Sequence, residues 1–428
     1  MVLSLLVGCT LGFGLDATQI YRTSEQTVVQ VRTAVAPDAA KRSYGSGFVV
    51  DQSGLIATNF HVIQEALEES DTYRIFISLP QKELEASIES IDIASDLALL
   101  KVNHSFAKAL ELLNTSPERG ERLYSVGVPR DLNLSVVEGT FNGLLQNAAS
   151  SNLLLSSPIN PGMSGGPTLN QLGKVVGINV AILLESQNLS FAVPVSKLAG
   201  LVSKWKSPTR KLASLLPKAN WNGVIRAQLI EAQNKLSNEW KEHPRTLHFG
   251  EWSVIAPPTH LKCWRERTQA LAESIEVEQE QCRSLFSMTP KEGLQTGNIE
   301  MSYAKIRNES LLSFRFPSAL QSVASGPEWN PEFGLLAELE GNAEEYSSGE
   351  CTHSYVNNQK GIIMHASYCS RSLTSFDSLK DAKIRVVTLP QEENQEGFLV
   401  KMELHGFQSP VIQETVATLL ESIEFHGK

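Results

Sequence analysis

The stretch Asn160-Pro161-Gly162-Met163-Ser164-Gly165-Gly166-Pro167 decides how the first half of this 428-residue chain is read. A serine hydroxyl becomes a useful nucleophile only when a base takes its proton and donors hold the oxyanion that forms. Glycines on both sides of Ser164 permit a sharp turn. They also let the backbone N–H groups of Gly162 and Ser164 converge on one point, as an oxyanion hole requires. Standing alone, the same residues describe an ordinary surface turn. Two segments upstream tip the balance.

The first runs from Gly45-Ser46-Gly47-Phe48-Val49-Val50 through the turn Asp51–Gly54 to Leu55–Ile63, and reads as two strands with the second leading into His61. The second is Ser95-Asp96 followed by the apolar run Leu97–Val102. A single buried His, or an Asp at a strand start, is usually structural. The order His61, Asp96, Ser164 in a chain of short strands is different, because a small β-barrel domain brings three such loops together. His61 is expected to act as the base and Asp96 to hold its tautomer. Asp92, four residues earlier, is the alternative acid; Asp96 is preferred because it directly opens the apolar strand.

On these residues the chain resembles a trypsin-fold serine protease, most closely the bacterial HtrA/Deg branch. The resemblance rests on Gly45 to His61, on Asp96-Leu97-Ala98, on Gly162 to Pro167, and on the two later runs Gly173–Asn179 and Ser190–Pro194. It covers about residues 18–205. It implies a double β-barrel, a serine endopeptidase activity, and a substrate cleft bounded by Ile178, Asn179, Val180, Ser190 and Phe191. No cofactor and no metal are implied. Met163 stands where the family usually has Asn, and a thioether cannot form the buried ion pair that switches on trypsin-like zymogens. Leu189-Ser190 replaces the usual Ile-Gly, so the specificity pocket is expected to differ in floor or width. No PDZ signature follows Pro194.

The fold expected overall is mainly β. Residues 18–205 form the trypsin-like domain, 206–245 a helical connector, and 246–428 an α+β domain of unrecognised role. Residues 1–17 resemble an export segment without a basic n-region, and Leu6-Val7-Gly8-Cys9 fits a lipobox that marks Cys9 for lipidation. A buried N-terminal strand, or a mis-assigned start codon that clips the signal, is the alternative. Export to the periplasm or envelope, with a lipid anchor, is the expectation. The formal net charge of −10 gives no footing for nucleic-acid binding.

Between and beyond the motifs, residues 18–26 read as a short helix, Val195–Leu215 as a basic amphipathic helix and Asn222–Glu242 as a helix. Further on, strands are expected at Trp252–Ile255, Ile299–Ala304, Leu311–Phe316, Gly361–Ser367, Ile384–Leu389 and Gly397–Leu404. Helices are expected at Cys263–Phe286 and Val411–Ile423. Of the five cysteines, Cys9 stands apart. The local pairs Cys263 with Cys282 and Cys351 with Cys369 are expected as disulfides, although four cysteines allow three connectivities. His353, His365 and His405 with Cys351 and Cys369 match no zinc spacing.

These readings lead to an exported serine endopeptidase acting on misfolded envelope proteins. Its alternative is a catalytically silent or narrowly specific protease-fold protein whose C-terminal domain is a binding module.

Overall fold

The computed structural model describes residues 14–36, 41–129, 132–146, 151–180, 189–207, 221–242, 244–270, 274–284, 287–291, 294–325, 346–388 and 395–427. Cys9 and the export segment to residue 13 lie outside them. The chain divides into two compact units, the first essentially residues 1–217 and the second 218–428.

The first unit begins with helix α1 (Ala17–Ser24), started by a capping box in which Asp16 and Gln19 satisfy each other's backbone N–H. Strands β1 (Val28–Ala34), β2 (Lys41–Asp51), β3 (Leu55–Thr58), β4 (Arg74–Leu79), β5 (Lys82–Asp92) and β6 (Leu97–Val102) close one barrel. Strands β7 (Arg122–Gly127), β8 (Ser135–Gln146), β9 (Ser151–Leu155), β10 (Pro167–Asn170), β11 (Val175–Val180) and β12 (Ser190–Pro194) close a second. The expected mainly β, double-barrel architecture is what the chain adopts. Closure leaves no open sheet edge in either barrel.

One apolar cluster runs through both barrels. Phe48, Leu55, Leu97 and Leu99 of the first pack with Tyr124, Val126, Leu169 and Ile178 of the second. The second strand of the glycine-rich segment ends at Thr58, and His61 sits in the first turn of helix α2 (Phe60–Glu68). The basic helix α3 (Val195–Lys206) buries Val195, Leu198, Leu201 and Val202. Its C-terminal end is also bonded to the first barrel: Lys206 pairs with Asp51 at 3.0 Å and Trp205 donates to Glu89 at 2.9 Å. The Lys206 bond holds the Asp51 carboxyl at about 2.

The second unit opens with helix α4 (Trp221–Glu242), followed by β13 (Thr246–Phe249) and β14 (Trp252–Ile255). Strands β15 (Lys262–Ala270), β16 (Ile275–Arg283), β17 (Met288–Lys291), β18 (Leu294–Thr296) and β19 (Asn298–Asn308) come next. Helix α5 (Phe316–Ala324), β20 (Glu350–Asn357), β21 (Ile363–Ser372), β22 (Leu379–Thr388), β23 (Glu396–Gln408), helix α6 (Ser409–Ser422) and β24 (Glu424–Phe425) complete it. Seven strands form an antiparallel sheet in the order β15-β16-β19-β23-β22-β21-β20. Tyr303 and Ala304, neighbours on β19, serve different apolar clusters, as strand alternation requires. Leu236 and Trp240 of α4 and Ile412 and Leu419 of α6 cover the Tyr303 side, and Phe316 and Leu320 of α5 cover part of the other.

Two expectations for this unit are corrected. Where a helix was expected over Cys263–Phe286, the described residues form the antiparallel strands β15 and β16. The buried residues Ile275 and Val277 alternate with polar ones, and opposite charges such as Arg265 and Glu280 face each other across the strands at 2.7 Å. Leu311–Phe316 is a short 3-10 turn leading into α5, because Pro317 at the helix start favours that geometry over a strand.

Both expected disulfides are present, Cys263–Cys282 and Cys351–Cys369. Each joins residues directly opposite in register, the first across β15 and β16, the second across β20 and β21. These are the outermost strand pairs at the two ends of the seven-stranded sheet, so each edge strand is stapled to its neighbour. Among the described residues, no helix is long and apolar enough to cross a membrane.

Candidate active site

Asp96 and His61 are brought together by the turn before β6. Asp96 takes up the left-handed conformation, φ 51°, the only described non-glycine residue to do so. A short polar side chain tolerates that region better than most. In this position Asp96 does the capping that Asn59, at the helix start, does not do for itself. Its Oδ1 accepts the His61 N–H at 3.0 Å, and its carbonyl accepts the Phe60 N–H at 3.2 Å and the Asn59 amide at 2.7 Å. Three donors at the N-terminus of α2 are thereby satisfied from one residue.

The remaining carboxylate oxygen, Oδ2, lies 2.7 Å from His61 Nδ1. A carboxylate can only accept, so Nδ1 carries the proton and Nε2 is left with its lone pair. The imidazole is 38 % exposed and the carboxylate 29 %. Burial works against the charged ring, but the Asp96 charge and hydrogen bond outweigh it and raise the His61 pKa above its ordinary value. Asp92, the alternative acid, instead accepts the Ser95 N–H at 3.1 Å and so builds the turn that presents Asp96.

Ser164 lies between β9 and β10 and is 5 % exposed. The turn around it depends on glycine. Gly162 and Gly165 have φ of 95° and 84°. A Cβ on Gly165 would lie 2.2 Å from the Ser46 carbonyl and 2.3 Å from Thr58 Oγ1; one on Gly166 would lie 2.1 Å from the Val126 carbonyl. Gly165 therefore packs directly against the chain entering α2. Gly45 fills the same gap from the other side: a Cβ there would touch both Val62 at 2.6 Å and the Ser164 carbonyl at 2.9 Å. The serine turn is thus seated against the first turn of the His61 helix. Met163, where an ion-pairing acid is absent, is fully buried behind it.

The residues expected to bound the substrate cleft lie on β11 and β12. Ile178 and Val180 belong to the apolar core and Phe191 is fully buried. Asn179 is wholly engaged by the fold. Its N–H donates to Gly166 and its carbonyl accepts from Gly165, while its side-chain amide donates to Val126 and accepts from Thr168. Its backbone is thereby paired with the serine turn. Ser190 joins Ser157 at 3.3 Å, and Ser157 joins Ser125 at 3.4 Å, in a buried hydroxyl chain. Residues 181–188, which follow β11, lie outside the described residues.

Ser46, Thr58 and Asn59 were not singled out by the sequence, although all three lie within the glycine-rich lead to His61. Their signal was present only as small polar residues in an apolar strand context. Of the histidines and cysteines weighed as a metal set, Cys351 and Cys369 are bonded to each other, and His405 lies 3.7 Å from Asp381. Among the described residues, Cys263, Glu280 and Cys282 place potential ligand atoms within 4.8 Å of one another, but the two sulfurs are consumed in a disulfide.

Comparison with known proteins agrees with this architecture. Residues 45–178 match the family described as the trypsin-like peptidase domain. That match lies within the first unit. Curated relatives with the name "Probable periplasmic serine endoprotease DegP-like" include one from Pseudomonas fluorescens, 34 % identical over 193 residues, 43 % of this chain and 38 % of the relative. Another, from Hahella chejuensis, is 34 % identical over 203 residues, 45 % of this chain and 40 % of the relative. The chain thus spans well under half the length of these relatives, and the alignments cover under half of the chain. A solved protease from M. tuberculosis in its active form is 19 % identical, covers 45 % of this chain and 88 % of its own, and has a TM-score of 0.39.

Proposed function

We propose that the peptidase domain is a serine endopeptidase in which His61, Asp96 and Ser164 act as a triad. The observation that carries this reading is the His61–Asp96 pair, with its tautomer fixed at 2.7 Å and the Ser164 turn seated against the same helix. In acylation, Ser164 Oγ attacks the scissile carbonyl carbon as its proton passes to His61 Nε2. The carbonyl π pair moves onto oxygen, and the Gly162 and Ser164 N–H groups hold that oxyanion. Collapse of the intermediate breaks the C–N bond, and His61 returns the proton to the leaving amine. Water then repeats the sequence on the acyl-enzyme, regenerating the serine. Asp96 stays ionised and stabilises the imidazolium.

The substrates in this reading are exported proteins that have lost their fold, which present extended segments to a cleft. Two features support an oxidising, extracytoplasmic location: the two disulfides of the second unit and the periplasmic designation of the relatives. A lipid on Cys9 would add an anchor to the same envelope. Ile178, Val180 and Phe191 shape the cleft from within the barrel core. No nucleic-acid partner is proposed, and the second unit is left as a binding module for protein partners.

The test is incubation of the purified protein with casein. Wild-type protein should yield new peptides over time, and Ser164→Ala should yield none above background. Intact casein with folded wild-type protein at neutral pH would reject the endopeptidase reading and favour a silent protease fold.

A further inference from the structure

We propose that the Ser46 hydroxyl is a positioning group for the oxyanion-binding turn. This rests on the reading of Ser164 as nucleophile and adds to it a residue from the opposite barrel. Ser46 lies on β2, is fully buried, and all its polar groups are engaged. Its N–H donates to the Ser164 carbonyl at 2.7 Å, and its Oγ donates to the Gly162 carbonyl at 2.7 Å. The same Oγ accepts the Val128 N–H at 2.8 Å, and the Ser46 carbonyl accepts from Thr58 Oγ1 at 2.7 Å.

The two candidate oxyanion donors are the N–H groups of Gly162 and Ser164. Each belongs to a residue whose own carbonyl is bonded to Ser46. Gly162 sits at φ 95°, where glycine has little torsional preference of its own to keep its peptide groups aimed. The restraint comes from outside: Ser46 Oγ holds the carbonyl of the Gly162–Met163 peptide, and Asn160 accepts that peptide's N–H at 3.1 Å. Removing the hydroxyl frees Gly162 at one end and leaves the Val128 N–H without this acceptor. The second barrel, which carries Val128 and the serine turn, is then no longer fastened through this side chain to the strand leading toward His61.

The space around Ser46 is cut to its size. A Cβ on Gly127 would lie 2.9 Å from Ser46 Oγ, and one on Gly166 would lie 3.2 Å from Ser46 Cβ. Alanine therefore fits without a clash and removes only the hydroxyl, whereas threonine would need room for a further methyl.

The test compares wild type, Ser46→Ala and Ser46→Cys as full-length protein on a quenched-fluorescent peptide taken from a casein cleavage site. Two binding measurements accompany it. One uses a boronic-acid peptide, whose tetrahedral adduct occupies the oxyanion hole, and the other uses the matching product peptide. Ser46→Ala should lower kcat on the order of ten- to a hundredfold with KM within about threefold, since it loosens oxyanion donors rather than removing one. Its affinity for the boronate should fall by a similar factor and its affinity for the product peptide should hold. Ser46→Cys, with a weaker donor and acceptor, should fall between wild type and alanine.

Ile77→Val, a core change in the same barrel, supplies the comparison for lost stability alone; it should lower the melting temperature and leave kcat at 25 °C within about twofold. A Ser46→Ala variant with wild-type kcat would overturn the proposal. So would equal losses of boronate and product affinity, which would mean a collapsed cleft. If Ser46→Ala loses its near-UV dichroism, Ser46→Cys decides alone, by the same split between kcat and KM. Wild-type protein that neither cleaves nor binds the boronate would overturn the endopeptidase reading together with this one, an outcome separable from failure of Ser46 alone.

Discussion

Asp96 holds His61 twice, through the main-chain N–H at 3.0 Å and through Nδ1 at 2.7 Å. One oxygen fixes where the residue sits in the helix, and the other fixes the ring. One carboxylate thus acts on both backbone and side chain of His61. Neutralising it should therefore cost more than one hydrogen bond.

Asp96→Asn should lower kcat by about four powers of ten, the scale of a lost tautomer in a triad. Asp92→Asn should change it little, because its carboxylate serves the Ser95 N–H and an amide oxygen can still accept. Steady-state kinetics of the two variants on one peptide substrate decide between the two acids. The reverse order of effects would reassign the acid to Asp92.

The pH dependence follows from the raised His61 pKa. Only the neutral imidazole can take the Ser164 proton, so activity should rise with pH through a midpoint above the ordinary 6.5. Stability carries the opposite sign. A folded pKa above the unfolded one contributes stability that is fully present below about 6.5 and is lost as pH rises through the folded value. Urea unfolding of wild type and His61→Gln at several pH values should show the wild-type advantage shrinking as activity appears. A kcat midpoint below 6.5 would contradict the dominance of Asp96 over burial.

Asn179→Ala should destabilise the peptidase domain by about 1–3 kcal/mol for each buried partner left unsatisfied, here Thr168 Oγ1 and the Val126 carbonyl. The loss should appear in denaturant midpoints even without substrate. If stability is unchanged and only KM rises, Asn179 contacts substrate after all.

Much of this site was legible because the chemistry requires particular residue types at particular places. His61, Asp96 and Ser164 stand in recognisable surroundings, Gly165 and Gly166 are required by close backbone approach, and Gly162 by its positive φ. Ser46 was not legible as more than part of a glycine-rich strand, since its role arises from bonds to Gly162 and Ser164, far along the chain. Asn179 was read as a cleft residue because its strand resembles one that lines the family's substrate cleft; the hydrogen bonds show its backbone paired with Gly165 and Gly166 and its side-chain amide with Val126 and Thr168. In the second unit, the run Arg265–Gln269 of β15 is polar throughout, so hydrophobic periodicity could not separate strand from helix. The pairing of Cys263 with Cys282 was foreseen on proximity, yet the hairpin that places them opposite was not.

The disulfides should be found as Cys263–Cys282 and Cys351–Cys369 by non-reducing peptide mapping of protein from its native compartment. Replacing both cysteines of either pair with serine should lower the stability of the second unit by roughly 3 kcal/mol in the chain-entropy estimate for loops of this size. Free thiols at all four positions would count against both the staples and an oxidising location.

The most direct measurement is the position of a fluorophosphonate adduct, read by mass spectrometry of the digested protein. Attack at phosphorus needs an activated serine and donors for the developing charge, as peptide hydrolysis does. The adduct should appear on Ser164 alone, and its rate of formation should fall by three or more powers of ten in His61→Ala. An unmodified Ser164 in folded wild-type protein at pH 8, or labelling that proceeds equally well without His61, would contradict a His61-activated Ser164.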